Sequence, residues 1–220
     1  MRTVIFDLDG TLADTSGDLV AAANACFRDL GLGDVLDPLA DAATAMRGGR
    51  AMLTLGFERT GGHGPDEIDR QYPRLLDYYG QALDIHTRLF PGAVEAVEGL
   101  RAGGYAVGVC TNKPEGLADR LLDSLGVRGL FASLIGADTL PTRKPDAAPY
   151  LAAVERAQGA LDRSVLIGDT VTDRDTARAA GVPVILVTFG PHGDGVHEMA
   201  PDGTIGSYND LGAEVQRLIG

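Results

Sequence analysis

Short apolar runs punctuate the chain at Thr3 to Phe6, Tyr105 to Cys110, Leu130 to Ile135, Val165 to Ile167 and Pro183 to Val187. Each is too short for a stable helix, and several are rich in Val and Ile. Runs of this kind, with no polar residue at alternate positions, predict strands buried on both faces. Between them the apolar positions change to helical spacing. Val94, Val97 and Leu100 share one face of a segment at 93–100, and Leu117, Leu121, Leu122 and Leu125 share another. Helices are also expected over 148–157 and 210–219. Strand and helix in alternation predict an α/β fold, a doubly wound parallel sheet with helices on both faces.

One stretch breaks the alternation. From 15 to 86 the pattern is helical, with no convincing strand. Leu19, Val20, Ala23, Phe27 and Leu30 make one helical face, which Gly31 and Gly33 end. Leu75, Leu76, Tyr79 and Leu83 make another, and Gly61, Gly62, Gly64 and Pro65 mark a turn between helices. The expected organisation is therefore a core of 1–14 and 87–220, with a helical insert at 15–86. An insert after the first strand is expected over the carboxyl ends of the strands, where ligands bind in such sheets.

Composition narrows the partners. Of 220 residues, 45% are hydrophobic and 23% charged, which suits a packed core rather than a disordered chain. The formal net charge of −12 opposes nucleic acid or an anionic membrane as a partner. No apolar run reaches the roughly 18 residues that a spanning helix needs. Asp7 and Asp9 interrupt the apolar start, which a secretory leader would not tolerate. Cys26 and Cys110 form no CxxC pair, so a reducing, cytoplasmic setting is expected. An anionic substrate would then need local positive charge, from a metal or from a few Lys and Arg.

Chemistry in open α/β sheets gathers just past the strand ends. The first strand leads into Asp7-Leu8-Asp9-Gly10-Thr11, and the second into Thr111-Asn112-Lys113. Arg143-Lys144-Pro145 follows the weaker third run, and the fourth leads into Gly168-Asp169, with Asp173 four residues on. Asp7, Asp9 and Asp169 offer hard oxygen ligands that suit Mg²⁺, and without a cation they would repel one another. Thr111 and Asn112 supply donors for phosphoryl oxygens, and Lys144 neutralises remaining charge. Asp173, about one helical turn past Asp169, is placed to orient Lys144 or a metal-bound water. Taken singly, each motif could be a turn or a cap. Together, in this order, they point to phosphoryl chemistry.

The ordered set DLDGT at 7–11, TNK at 111–113, RKP at 143–145 and GDTVTD at 168–173 resembles the haloacid dehalogenase-like hydrolase superfamily. FDLDGTLADT at 6–15, PGAVEAVEGLRAGG at 91–104, GADTLPTRKPD at 136–146 and TARAAG at 176–181 resemble its phosphoglycolate phosphatase branch. The resemblance implies a Rossmann-like core with a small helical cap. It implies Asp7 as nucleophile, forming an aspartyl phosphate, and Asp9 as general acid and then base. It implies Mg²⁺ on the Asp7 and Asp169 carboxylates and the Asp9 backbone carbonyl. Thr111, Asn112 and Lys144 would grip the phosphoryl group, and Thr11 would pin the turn after Gly10. The cap stretch AMRGGRAML at 45–53 offers Arg47 and Arg50 for an anionic substrate tail. Ala147 stands where many relatives have Pro, which would loosen a helix start.

The expected activity is Mg²⁺-dependent hydrolysis of a small phosphate monoester, with 2-phosphoglycolate favoured, by a monomer or homodimer. A phosphosugar mutase or pyrophosphatase of the same superfamily stays open, because the core residues do not separate them. A non-catalytic phosphate-binding module is a further alternative, opposed by the presence of both Asp7 and Asp9. The histidines His63, His86, His192 and His197 have no metal-site spacing.

Overall fold

The computed structural model describes residues 1–62 and 64–220; His63 lies outside the described residues. The strands are β1 (Thr3–Phe6), β2 (Ala13–Asp14), β3 (Arg88–Leu89), β4 (Ala106–Cys110), β5 (Ser133–Ile135), β6 (Ser164–Gly168), β7 (Val184–Val187) and β8 (Gly203–Ile205). The helices are α1 (Ser16–Asp29), α2 (Ala42–Met46), α3 (Gly49–Arg59), α4 (Pro65–Gln81), α5 (Ala93–Ala102), α6 (Glu115–Ser124), α7 (Ala147–Arg156), α8 (Val171–Ala180) and α9 (Leu211–Ile219). The chain forms two compact units. Met1–Ala13 and Leu89–Gly220 make one, and Asp14–Arg88 the other.

The first unit is a six-stranded sheet in the order β5-β4-β1-β6-β7-β8. Every pairing in it is parallel. The chain runs outward from β1 through β4 and β5, then returns to β6 on the other side. That reversal makes a crevice at the carboxyl end of β1, where ligands bind in open sheets. Register sharpens the point. Phe6 is level with Val109 of β4 and with Ile167 of β6. Asp7, Cys110 and Gly168 therefore leave the sheet side by side, with Thr111 and Asp169 one residue further on.

β1, β4 and β6 are buried along their whole length, as their unbroken apolar patterns require. One sheet face buries Ile5, Leu166 and Leu186 against Tyr150 and Val154 of α7 and Ala177 of α8. Helices α5 and α9 pack together and contact β4, β6 and β8. The expected strand at 130–135 is shorter, because Arg128–Leu130 forms a 3₁₀ turn before β5. β8, a Gly-Thr-Ile edge strand, is too short to produce an apolar run. Ala147 does not leave its helix start loose, because the Asp146 side chain accepts from Ala148 N at 2.8 Å.

The second unit is helical. α1 packs against α4, α3 and α2. Leu19, Val20, Ala23 and Phe27 are buried on α1, and Leu75 and Tyr79 on α4. The loop after α1 is held by side chains. Asn24 donates to Leu36 O and accepts from the N–H groups of Val35 and Leu36. Arg59 grips Asp41 through two bonds of 2.6 and 2.7 Å, and these hold the Asp41 carboxyl below its usual range. Asp18, buried in the first turn of α1, accepts from the backbone of His86 and Thr87 and from the Thr87 hydroxyl.

Helices α1 and α3 approach closely in this unit. Phe27 and Phe57 meet edge to face at 5.4 Å between centroids. Phe27 also lies under Gly56, where an added Cβ would fall 2.1 Å from Phe27 Cζ. Substituting Gly56→Ala must displace a buried ring. It is expected to destabilise the protein by about 1–3 kcal/mol, read as a lower urea midpoint in equilibrium unfolding. An unchanged midpoint would show that the ring moves freely.

Candidate active site

Asp7 begins the site. Its N–H continues the ladder to Ile167 O at 2.8 Å, so its backbone is fixed by the sheet. Its Oδ1 accepts from Leu8 N at 2.7 Å and lies 3.1 Å from Lys144 Nζ. The chain then turns sharply. Gly10 has φ of +79°, a conformation that glycine adopts without strain, and its N–H donates to Ala13 O. The turn presents the Thr11 hydroxyl, which donates to Asp169 Oδ1 at 3.0 Å. The Tyr208 hydroxyl secures the same turn from behind, donating to Thr11 O at 2.7 Å. Tyr208 itself stacks on Phe189, which stacks on Phe90.

Asp169 follows β6, and Asp173 lies in the first turn of α8. Thr170 and Asp173 form a reciprocal capping box at that helix start. Asp173 Oδ2 accepts from the Thr170 hydroxyl at 2.7 Å, and Oδ1 accepts from Lys144 Nζ at 2.6 Å. Both oxygens of Asp173 are thus engaged. This close approach requires Gly168, since a Cβ there would lie 2.3 Å from Asp173 Cγ. Lys144, fully buried, sits between Asp7 and Asp173. Asn112 donates from Nδ2 to Lys144 O at 3.0 Å and steadies the segment that carries it. Thr111 is buried, and its oxygen accepts from Lys113 N at 3.2 Å, which leaves the hydroxyl proton available to a ligand.

Each expected core residue therefore lies at one end of the sheet. Their partnerships differ in detail from the expectation. The carboxylates that converge to within 4.8 Å are those of Asp7, Asp169 and Asp173. Asp9 instead directs its carboxylate at Lys113 Nζ, at 2.7 and 3.0 Å. Lys113 is the residue that the sequence reasoning passed over, although it stood in the quoted TNK motif. Tyr208 carried no sequence signal, because it comes from the far end of the chain. Arg50, in the helical unit, pairs with Asp69 at 2.6 Å and lies over the Tyr72 ring. Arg47, also in that unit, is exposed, and its side chain has no hydrogen-bond or ion-pair partner among the described residues.

The electrostatics suit a bound cation. Burial pushes the Asp7 carboxyl up to about 6, and the Asp173 and Asp9 charges add to the rise that Lys144 opposes. Burial raises Asp169 well above the ordinary range, again with help from Asp173 and Asp7. Burial alone would lower Lys144, but the Asp173 and Asp7 charges more than reverse it. Asp169 Oδ2 is buried and has no hydrogen-bond partner. An orphaned buried carboxylate oxygen beside two other carboxylates fits a divalent metal. With all four carboxylates ionised, the two lysines would leave two negative charges, the amount that one divalent ion would neutralise.

The matching family model, haloacid dehalogenase-like hydrolase, covers residues 4–187. The chain belongs to the haloacid dehalogenase-like hydrolase family. Within it, the chain falls in the phosphoglycolate phosphatase branch, and its aspartate site is that of a phosphatase-like enzyme. It is 38% identical over 209 residues to a phosphoglycolate phosphatase of Agrobacterium fabrum, covering 94% of this chain and 89% of that one. It is 35% identical over 224 residues to one of Cereibacter sphaeroides, at full coverage of both. Among solved structures, a predicted phosphoglycolate phosphatase of Haemophilus somnus superposes with a TM-score of 0.84 at 26% identity, covering 97% of each chain. No helix of the described residues is long and apolar enough to cross a membrane.

The raised Asp7 carboxyl has a consequence for stability. Because its folded value exceeds its unfolded one, its contribution is fully present below the unfolded value. It is lost as pH climbs through about 6. A divalent ion should restore what ionisation removes. With a fixed excess of Mg²⁺ as probe, the rise in melting temperature is expected to be small at about pH 5 and several degrees at about pH 7. A rise that does not vary with pH would place the ion elsewhere.

Proposed function

We propose that this enzyme hydrolyses a small phosphate monoester, 2-phosphoglycolate foremost, through an aspartyl phosphate on Asp7 with Mg²⁺ as cofactor. The observation that carries the proposal is the placement of Asp7. It is fixed by the sheet, charge-paired with Lys144 on one oxygen, and set beside Asp169 and Thr111. The relatives' names supply the substrate.

Both bonds to Asp7 fall on Oδ1, which leaves Oδ2 to attack phosphorus. As the new P–O bond forms, the ester P–O bond breaks, and Asp9, which takes up a solvent proton in the substrate complex, passes that proton to the departing oxygen. Asp9, now a carboxylate, takes a proton from water. The water oxygen attacks phosphorus, Asp7 is released, and inorganic phosphate leaves. Thr111 and Lys144 donate to the phosphoryl oxygens throughout, and the Asn112 side chain keeps the Lys144 segment in place. The Asp7 and Asp169 carboxylates and the Asp9 backbone carbonyl would hold Mg²⁺, which would supply positive charge against the phosphoryl oxygens. Asp173 and Thr11 orient Lys144 and Asp169.

Arg47 is the residue we assign to the carboxylate of 2-phosphoglycolate, since Arg50 is already paired. The buried, unpaired state of Cys26 and Cys110 supports a cytoplasmic enzyme. Phosphate release from 2-phosphoglycolate, glucose 1-phosphate, pyrophosphate and a nucleoside monophosphate tests the substrate. 2-Phosphoglycolate is expected to turn over best, with EDTA abolishing release. Asp7→Asn is expected to keep the circular dichroism of the parent and to lose turnover by at least about 10³-fold. Turnover at the parent rate would remove Asp7 as nucleophile, and an isomerised sugar phosphate without net release would point to a mutase.

A further inference from the structure

Lys113 is a buried lysine that the phosphoryl site does not explain. Its side chain is 3% exposed, while that of Asp9 is 17% exposed. The ammonium reaches both Asp9 oxygens, at 2.7 and 3.0 Å. Its backbone is anchored on either side. Lys113 N donates to the Thr111 hydroxyl oxygen, and Lys113 O accepts from Ala137 N at 3.0 Å. The stem therefore leaves a fixed point on the end of β4 and ends on the carboxylate at the end of β1. Asp9 meanwhile stands apart from the three carboxylates that converge on the metal position.

We propose that Lys113 is a positioning residue, which fixes the Asp9 carboxylate toward the leaving group and away from the metal-binding carboxylates. The assignment rests on the phosphatase reading. An untethered carboxylate next to a metal position has two competing uses, as proton donor and as ligand. A two-pronged contact to a buried ammonium removes the second use and fixes the orientation from which Asp9, once it has taken up a proton in the substrate complex, performs the first. Lys113 touches neither phosphorus nor metal in this scheme. Its effect passes through Asp9, and the effect is confined to substrates whose leaving oxygen needs a proton.

That confinement is measurable. An alkyl phosphate such as 2-phosphoglycolate expels an oxygen that must be protonated, whereas p-nitrophenyl phosphate expels a stable phenolate. kcat/KM reports the step in which the leaving group departs, and excludes the later hydrolysis common to both esters. In Lys113→Met, kcat/KM for the alkyl ester is expected to fall at least about tenfold further than for the aryl ester. Lys113→Arg, which keeps two donors on Asp9, is expected to recover part of that difference. Mg²⁺ binding to Lys113→Met, followed by calorimetry, is expected to tighten, because a positive charge is removed and Asp9 is freed as a ligand. Equal losses on both esters with unchanged Mg²⁺ affinity would overturn the assignment while leaving the phosphatase reading intact. A parent enzyme inactive on both esters would overturn both. Should Lys113→Met not fold, as judged by circular dichroism, Lys113→Gln reads the same ratio: a larger loss on the alkyl ester supports the assignment, and equal losses overturn it.

Discussion

A buried ammonium between two buried carboxylates, Lys144 between Asp7 and Asp173, holds together the carboxyl end of the sheet. Neither partner belongs to the segment that carries the lysine. Asp7 comes from the end of β1, Asp173 from the start of α8, and Lys144 from the loop before α7. The contact therefore ties three separate segments at a point where the sheet has stopped providing backbone bonds. Removing one member of such a set leaves an unpaired buried charge, which is typically more costly than never having built the pair, at about 3–5 kcal/mol. Much of the local sequence follows from it. Gly168 is small because Asp173 must pass close to it, and Asn112 faces Lys144 O because the lysine segment needs an anchor.

The pairing does not exhaust the charge. Asp169 keeps one oxygen with no partner, and Asp7 and Asp169 both resist ionisation in the absence of a counter-charge. Stability and catalysis make opposite demands here. A core would be more stable with apolar residues at these places, but phosphoryl transfer needs fixed charge in a dry, preorganised setting. The fold tolerates the conflict because the surrounding strands are almost wholly apolar. The helical unit solves a comparable problem with a partly exposed partner, as in the Arg59–Asp41 pair, where the guanidinium reaches solvent.

The strands β1, β4, β5, β6 and β7, the helices flanking them and the helical insert were legible because their periodicities differ sharply. The site motifs were legible because four of them follow strand ends in one order. What the sequence did not reveal was partnership. Nothing in TNK distinguishes a lysine that reaches Asp9 from one that reaches water, since that depends on the register of β1 against β4. Asp173 was placed near Lys144 from spacing alone, yet its share in the capping box, and so the engagement of both its oxygens, needed coordinates. Tyr208 lies nearly two hundred residues from the turn it buttresses, at the end of a chain segment with no apolar run. Arg47 and Arg50 looked equivalent in sequence, but among the described residues Arg50 alone of the two pairs with a carboxylate, Asp69 on the adjacent helix.

Burial raises the Asp7 and Asp169 carboxyls above their ordinary range, so a divalent ion bound there would compete with protons. Calorimetric titration of the protein with Mg²⁺ at about pH 6, in two buffers of different ionisation enthalpy, counts those protons directly. Net proton release on binding is predicted, because burial pushes the Asp7 carboxyl up to about 6 and raises that of Asp169 as well. Binding with no buffer dependence would mean that the carboxylates were already ionised, and would contradict that picture of the site.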